Sequence, residues 1–290
     1  MNTAVTSTSD FQEKDITVRH QKFSFDGLPK FYYENNPYMS YLLSILSLTF
    51  PEGERMFVHS VRAVRDEVTD PVLKKEISAF IGQEAVHGNV HETFNSFMQE
   101  KLGLPTQKYE REIFNRIKFA KEKVAKKNLL AMTCGFEHLT AILGEHMLTH
   151  PKEFAGLNPI VRPMWFWHAL EETEHKAVAF DVYQHLYADD KTRLRIMKIV
   201  TRIFVFRIMS MTTMMLLKDK NSRFDVRKNT YGLYRIMKIA RAISLNYKEY
   251  FEPGFHPNNR DTRALTKQWR ARLFPTGDEQ ETAVDYAAWY

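Results

Sequence analysis

The chain has 290 residues, 44% hydrophobic and 26% charged, which is enough to bury a sizeable core in one large domain or two small ones. Its single cysteine, Cys134, excludes an internal disulfide and a Cys-rich zinc site, and its 11 Gly and 11 Pro favour long helices over the many turns of an all-β fold. The net charge of +6 comes with no RNP, KH, zinc-finger or helix-turn-helix pattern, so no nucleic-acid partner is expected.

The polar start MNTAVTSTSDFQEKD reads as a disordered tail through residue 15. It lacks the apolar core of a secretory signal, so a cytoplasmic setting is expected. Phe23–Tyr33 is mixed and irregular. Asn36-Pro37 is a helix start, Met39–Phe50 is an apolar helix, and Glu54–Val64 resumes the pattern. Pro51 and Gly53 between them predict one kinked helix or two abutting ones. Asp70-Pro71 starts a helix running to about Leu102, ended by Gly103 and Pro105. Further helices are predicted over Tyr109–Lys126, Asn128–Leu148, Pro159–Tyr187, Lys191–Lys218 and Tyr231–Tyr250. No linker divides the chain, so residues 16–260 are read as a single helical domain and 261–290 as an irregular tail.

Within this frame IGQEAVHGNVHE puts Glu84, His87 and His91 within about 60° of one another on one helix face. WHALEETEHK does the same for His168, Glu172 and His175. Both helices therefore carry a Glu-x-x-His pair, Glu84/His87 and Glu172/His175. A further acid precedes each pair: Glu54 in FPEGERMF and Glu137 in the apolar run LLAMTCGFEHLTAIL. The order Glu, Glu-x-x-His, Glu, Glu-x-x-His is the ligand pattern of a di-metal carboxylate bundle. Carboxylates can bridge two metals while each imidazole binds one, and two divalent ions cancel four carboxylate charges. Iron is the expected metal, with manganese accepting the same ligands.

Alternatives stand beside several assignments. One Glu-x-x-His arises by chance on charged helices, and Glu84 or Glu172 alone would read as a surface acid. Glu137 is the sharpest clue, because a solvated acid in so apolar a run would be odd. Glu52 competes with Glu54, and Glu171 with Glu172. His168 is a seventh ligand or a packed core histidine. His91 is read as an outer hydrogen-bond partner of a ligand, and Glu171 is held in the same role. His138, Glu145 and His146 are read as outer or surface groups.

FPEGERMF, IGQEAVHGNVHETFN, FEHLTAIL, WFWHALEETEHKAVAFDVY and the late YFEPGFHP together resemble the bacterial family of predicted metal-dependent hydrolases, over roughly Phe25 to Pro257. The resemblance implies an all-α, ferritin-like four-helix bundle with additional C-terminal helices. More distantly, the His168, Glu172, His175 run resembles the seven-ligand di-iron site of the p-aminobenzoate N-oxygenases. Carried over residue by residue, that site is Glu54, Glu84, His87, Glu137, His168, Glu172 and His175. The rest of the chain departs from that family, so its arylamine substrate does not transfer.

The ligand set argues first for a di-iron or di-manganese oxidoreductase, a monooxygenase or oxidase with an external electron donor and a small-molecule substrate. The alternative is a hydrolase using a water between the metals, and metal storage remains as a third reading. No G-x-S-x-G elbow is present, so a hydrolase here would be metal-based. Arg195, Lys198, Arg202 and Arg207 punctuate an apolar run through Leu217. Charges at bilayer depth are expensive, so this helix is expected to pack on the bundle or to touch a membrane surface rather than span it. The second case would suit an apolar, lipid-like substrate.

Overall fold

The computed structural model describes residues 16–275. It is all-α, with a ferritin-like four-helix core and additional helices packed around it. α1 (Pro37–Arg62) starts where Asn36 Oδ1 accepts from the Met39 amide, and α2 (Pro71–Glu100) where Asp70 accepts from Val72 and Leu73. α3 (Thr106–Lys123) leads into α4 (Lys126–Thr149), α5 (Arg162–His175) and α6 (Val178–Leu186). α7 (Asp190–Lys218), α8 (Val226–Ala242), α9 (Ser244–Glu249) and α10 (Arg263–Leu273) complete the chain.

α1 runs through Pro51 without a break. Proline has no N–H, so the Ser47 carbonyl one turn earlier loses its helical partner. Asn95 Nδ2, from α2, donates to that carbonyl at 3.2 Å and satisfies it. Three other expectations are corrected. The single helix over Pro159–Tyr187 is instead a turn over 159–161, then α5 and α6, with the break at Lys176–Ala177 directly after His175. The helix expected over Tyr231–Tyr250 begins earlier, at Val226, and divides at Ile243. The tail expected to be irregular from 261 contains α10. There Thr266, Trp269 and Leu273 lie on one face and are buried. Trp269 stacks on Phe166 at 4.8 Å and donates to the Leu148 carbonyl. The fold therefore extends past residue 260. The tail read over residues 1–15 lies outside the described residues.

The core forms two apolar layers. One contains Met39, Leu43, Phe94, Met98, Trp165 and Leu170, and the other Phe57, Ile77, Phe80, Leu130, Ile142 and Val182. α1 passes from the first layer to the second, and α2 and α4 pass the other way, while α5 lies in the first layer and the chain enters the second at α6. α3 makes the crossover from α2 back to the start of α4. The acids and histidines singled out in the sequence lie on α1, α2, α4 and α5, near where the chain passes from one layer to the other. They are closed off by hydrocarbon at both ends.

Gly144 marks the closest approach of α4 to α5. A Cβ there would sit 2.8 Å from the Ala169 carbonyl oxygen, which is backbone and cannot turn aside. At Gly53, inside α1, a Cβ would meet nothing within 4 Å. Gly144→Ala should therefore cost about 1–3 kcal/mol in denaturant unfolding. Gly53→Ala should gain about 0.5–1 kcal/mol.

Candidate metal centre

Each core helix delivers its share of the centre. α1 supplies Glu54, α2 supplies Glu84 and His87, α4 supplies Glu137, and α5 supplies His168, Glu172 and His175. None is more than 5% exposed. The seven side chains fall into two groups, Glu54/His87/His168/Glu172 and Glu84/Glu137/His175, and within each group one donor atom per residue lies within 4.8 Å of the others. His175 Nε2 is 3.0 Å from Glu84 Oε1, 3.3 Å from Glu137 Oε2 and 3.7 Å from Glu172 Oε2. Glu172 Oε1 is 3.3 Å from His168 Nε2 and 3.5 Å from His87 Nδ1. The two oxygens of Glu172 thus face different groups.

These atoms are close, yet they do not bond one another. Both carboxylate oxygens of Glu54, Glu84 and Glu137 lack a hydrogen-bond partner, as do Glu172 Oε2, His87 Nδ1, His168 Nε2 and His175 Nε2. Buried polar atoms are ordinarily paired. Here atoms of all seven residues are left open and point toward shared spaces, a donor set of carboxylate oxygen and imidazole nitrogen that suits divalent metal.

The outer hydrogen bonds fix which imidazole nitrogen is free. Gln83 donates its amide N–H to the Thr17 carbonyl and to Glu174, so its Oε1 accepts from His175 Nδ1 at 2.9 Å. The His175 Nε2 lone pair then faces the centre. Glu171 accepts from His87 Nε2 at 2.9 Å and from Arg19 and Trp167, which leaves His87 Nδ1 as the lone pair. Ser47 donates its hydroxyl to Asn95 Oδ1, so it accepts from His91 Nδ1. Burial, then the neighbouring His168, hold His91 well below its ordinary pKa, so it is neutral and its Nε2 accepts from His168 Nδ1 at 3.2 Å. His168 Nε2 is therefore also a lone pair. In their neutral forms all three imidazoles thus aim a lone pair at the centre; His168 is already neutral, whereas His87 and His175, held well above 6.5, give up a proton when metal binds.

The charges are strained in the metal-free chain. Burial, and then the Glu84 charge, push Glu54 well above the ordinary carboxylate value and Glu137 up to about 8. Burial also raises Glu84, against the pull of His175. Burial acts the same way on Glu172, but His175 and His87 overcome it and hold this carboxyl well below its ordinary value. Burial depresses His87 and His175, yet Glu171 and Glu172 lift the first and Glu137, Glu172 and Glu84 the second, both well above 6.5. His168 has no such help. Burial and then the His87 charge push it down to about 3.

A model of the predicted metal-dependent hydrolase family matches residues 17–261. The chain belongs to that family. No curated protein and no solved structure matches it. Membership makes the chain a metal-dependent protein with the features of an enzyme, and the two buried Glu/His groups are where metal can sit.

The residues that compete in the sequence lie in different places. Glu52 is half-buried and pairs with Arg55 at 2.6 Å, while Glu54 turns into the centre. Glu171 stands behind His87, and Glu172 is the one inside. His91 lies behind His168. His138 bonds the Asn246 carbonyl, Glu145 bonds Arg260 and His146 meets Glu153, all away from the centre. Gln83, Ser47, Asn95 and Arg19 were not found from sequence. Asn95 follows His91 by four residues on one helix face, which was the available signal for it; Arg19 carries none.

Beside the centre, a cleft of about 570 Å³ opens between α1 and α2. Of the seven inward residues only Glu84 lines it. Arg55, Arg62, Lys121 and His59 lie around it with Val58 and Ala63. The cleft thus lies beside the three-residue group, which has the fewer protein donors, with the Glu84 carboxylate oxygens themselves buried.

Glu137→Ala should lose metal and lower the melting temperature of the metal-loaded protein, whereas Glu145→Ala should leave metal content unchanged; equal effects would count against the assignment. Gln83→Leu frees the His175 ring and should weaken metal binding about 10–100-fold by titration with a chromogenic chelator.

The metal-free protein should respond to pH in a defined direction. Glu54, Glu84 and Glu137 keep protons in the fold that the unfolded chain releases above its ordinary value of 4.5, and His87 and His175 keep protons released above 6.5. Both sets stabilise the fold at low pH and lose that contribution as pH rises through the folded values. Glu172 acts oppositely below 4.5, and His91, His138 and His168, held neutral in the fold, act oppositely up to 6.5. The melting temperature of chelator-treated protein should therefore fall as pH rises from about 6.5 to 8, where only the raised groups still contribute, and added divalent metal should restore it with release of protons.

Proposed function

We propose that the protein is a hydrolase with a dinuclear metal centre, in which Glu54, His87, His168 and Glu172 hold one ion and Glu84, Glu137 and His175 the other. The observation that carries the reading is the set of buried, unpaired carboxylate and imidazole atoms directed at two adjacent points, with a surface cleft beside the less crowded one. Family membership supports hydrolysis over other uses of such a centre. Divalent ions held there supply Lewis acidity, lowering the pKa of water and polarising an ester or phosphoryl oxygen.

The chain's own residues supply the rest. Glu84, at the floor of the cleft, joins the centre to the surface. Arg62 and Lys121 give the cleft positive charge that would hold an anionic substrate, and Arg55, partly neutralised by Glu52 and Glu92, adds to it. His59 is held below its ordinary pKa by partial burial and by Lys121, so it is neutral at pH 7 and able to accept a proton at the cleft wall. The apolar layers above and below the centre keep bulk water out.

A second reading, oxidation by O₂ with an external electron donor, is favoured by one observation. His168 belongs to the four-residue group, so the whole His168, Glu172, His175 run faces the centre. The choice is made by assaying protein loaded separately with Fe(II), Mn(II) and Zn(II) on p-nitrophenyl acetate and p-nitrophenyl phosphate, in air and under argon. Hydrolysis predicts nitrophenolate release that continues under argon and falls at least about a hundredfold in Glu172→Ala. Absence of release with every metal, together with metal-dependent O₂ uptake, would replace it with oxidation. The Arg62→Gln, Lys121→Gln double variant should raise KM for the phosphate about tenfold and leave that for the neutral ester unchanged.

A further inference from the structure

The second half of the chain carries charge and hydrocarbon in a pattern that the metal centre does not use. Between Lys191 and Arg241 there are fourteen Lys and Arg against two Asp, although the whole chain has a net charge of only +6. Thirteen of the sixteen large apolar side chains exposed among the described residues lie between 199 and 245.

Both features are arranged on helices. On α7, Ile199, Ile203 and Phe206, and then Met214 and Leu217 two turns further on, recur at helical spacing and face solvent, with Arg195 and Arg202 beside them. On α8, Val226, Leu233 and Met237 form a second such stripe, ending at Arg241. Phe224, in the connection between the two helices, is 74% exposed. Tyr231 and Tyr234 lie next to the α8 stripe, with rings 6.5 Å apart. Arg195, Arg202, Arg227 and Arg241 are exposed and make no ion pair among the described residues.

α7 is long and apolar enough to cross a bilayer by length and composition. Its other face argues against crossing. Ile196, Met197 and Val200 are buried in one core layer, and Ile208, Met211 and Met215 in the other. Arg207 in its middle pairs with Glu112 of α3. Spanning would strip all of these contacts, whereas lying on a surface keeps them.

We propose that the solvent faces of α7 and α8, with Phe224 between them, dock the protein on the surface of an anionic lipid bilayer. Exposed Phe, Ile, Leu and Met enter the headgroup region, the tyrosines sit at its boundary, and the unpaired arginines meet lipid phosphates. The apolar residues alone would serve any greasy partner. The unpaired arginines among them select a negatively charged one. This inference does not depend on the metal reading.

The test is flotation of the full-length protein with vesicles of phosphatidylcholine alone and of phosphatidylcholine containing about a third phosphatidylglycerol. The protein should float with the anionic vesicles and not the neutral ones, and high salt should release it. A Phe206→Glu, Phe224→Glu, Met237→Glu triple variant should reduce binding about tenfold or more, with unchanged helicity by circular dichroism and unchanged metal content. All three side chains are exposed, so folding is not at risk. No flotation, equal flotation with both lipids, or a triple variant that floats like its parent would overturn the proposal. So would a stable dimer in sedimentation that the triple variant dissolves, because a second copy would then cover the face.

Discussion

The structure depends on four carboxylates, one from each core helix, being held where water cannot reach them. Isolated charges in such a place are costly, and charges of one sign side by side cost more. Without metal the chain contains the cost partly by keeping protons that free carboxylates would lose, and partly by setting His87 and His175 against Glu172. Two divalent ions would cancel the four negative charges outright, which couples metal to stability as well as to chemistry. The apolar layers on either side make the coupling strict, because they deny the acids hydration as a way out.

One irregularity in the backbone serves both fold and centre. Pro51 leaves the Ser47 carbonyl without its helical partner, and the Asn95 amide nitrogen replaces it. That bond turns the Asn95 oxygen toward the Ser47 hydroxyl. The hydroxyl then accepts from His91, and His91 in turn fixes His168. A feature that reads as a helix breaker is thus the first link in a chain of hydrogen bonds that ends at an inward-facing imidazole nitrogen. Replacing Asn95 would disturb α1 and His168 together.

The inward residues were legible in the sequence because helical periodicity is local. Three- and four-residue spacings put Glu84 with His87 and His168 with Glu172 and His175 on single faces whatever the fold does elsewhere. Glu137 stood out by the company of apolar neighbours. Among the outer partners His91 and Glu171 were read from their place beside the inward residues, but Arg19, Gln83, Ser47 and Asn95 were not, because the contact each makes is fixed by tertiary approach. Arg19 reaches Glu171 across 152 positions of sequence, and Gln83 reaches His175 across 92. The break after His175 was missed, and whether α1 continues through Pro51 was left open between one helix and two, since compensation at a helix defect comes from another helix. α10 could have been read from the spacing of Thr266, Trp269 and Leu273, but the prolines and paired asparagines just before it suggested a tail.

The two halves of the molecule treat charge in opposite ways. The core helices bring acids inward and place the compensating groups in a shell around them, so that Arg19 holds Glu171 and Glu174 within the protein. α7 and α8 turn basic side chains outward among hydrocarbon that none of the described residues covers. Core stability explains neither arrangement, since burying apolar residues in place of the acids, or polar residues in place of Phe206 and Phe224, would be the more stable choice. Divalent ions would match the interior, and on our proposal an anionic bilayer would match the surface; because α7 packs on α1 and α4, the same helix carries the outer face and supports the inner one.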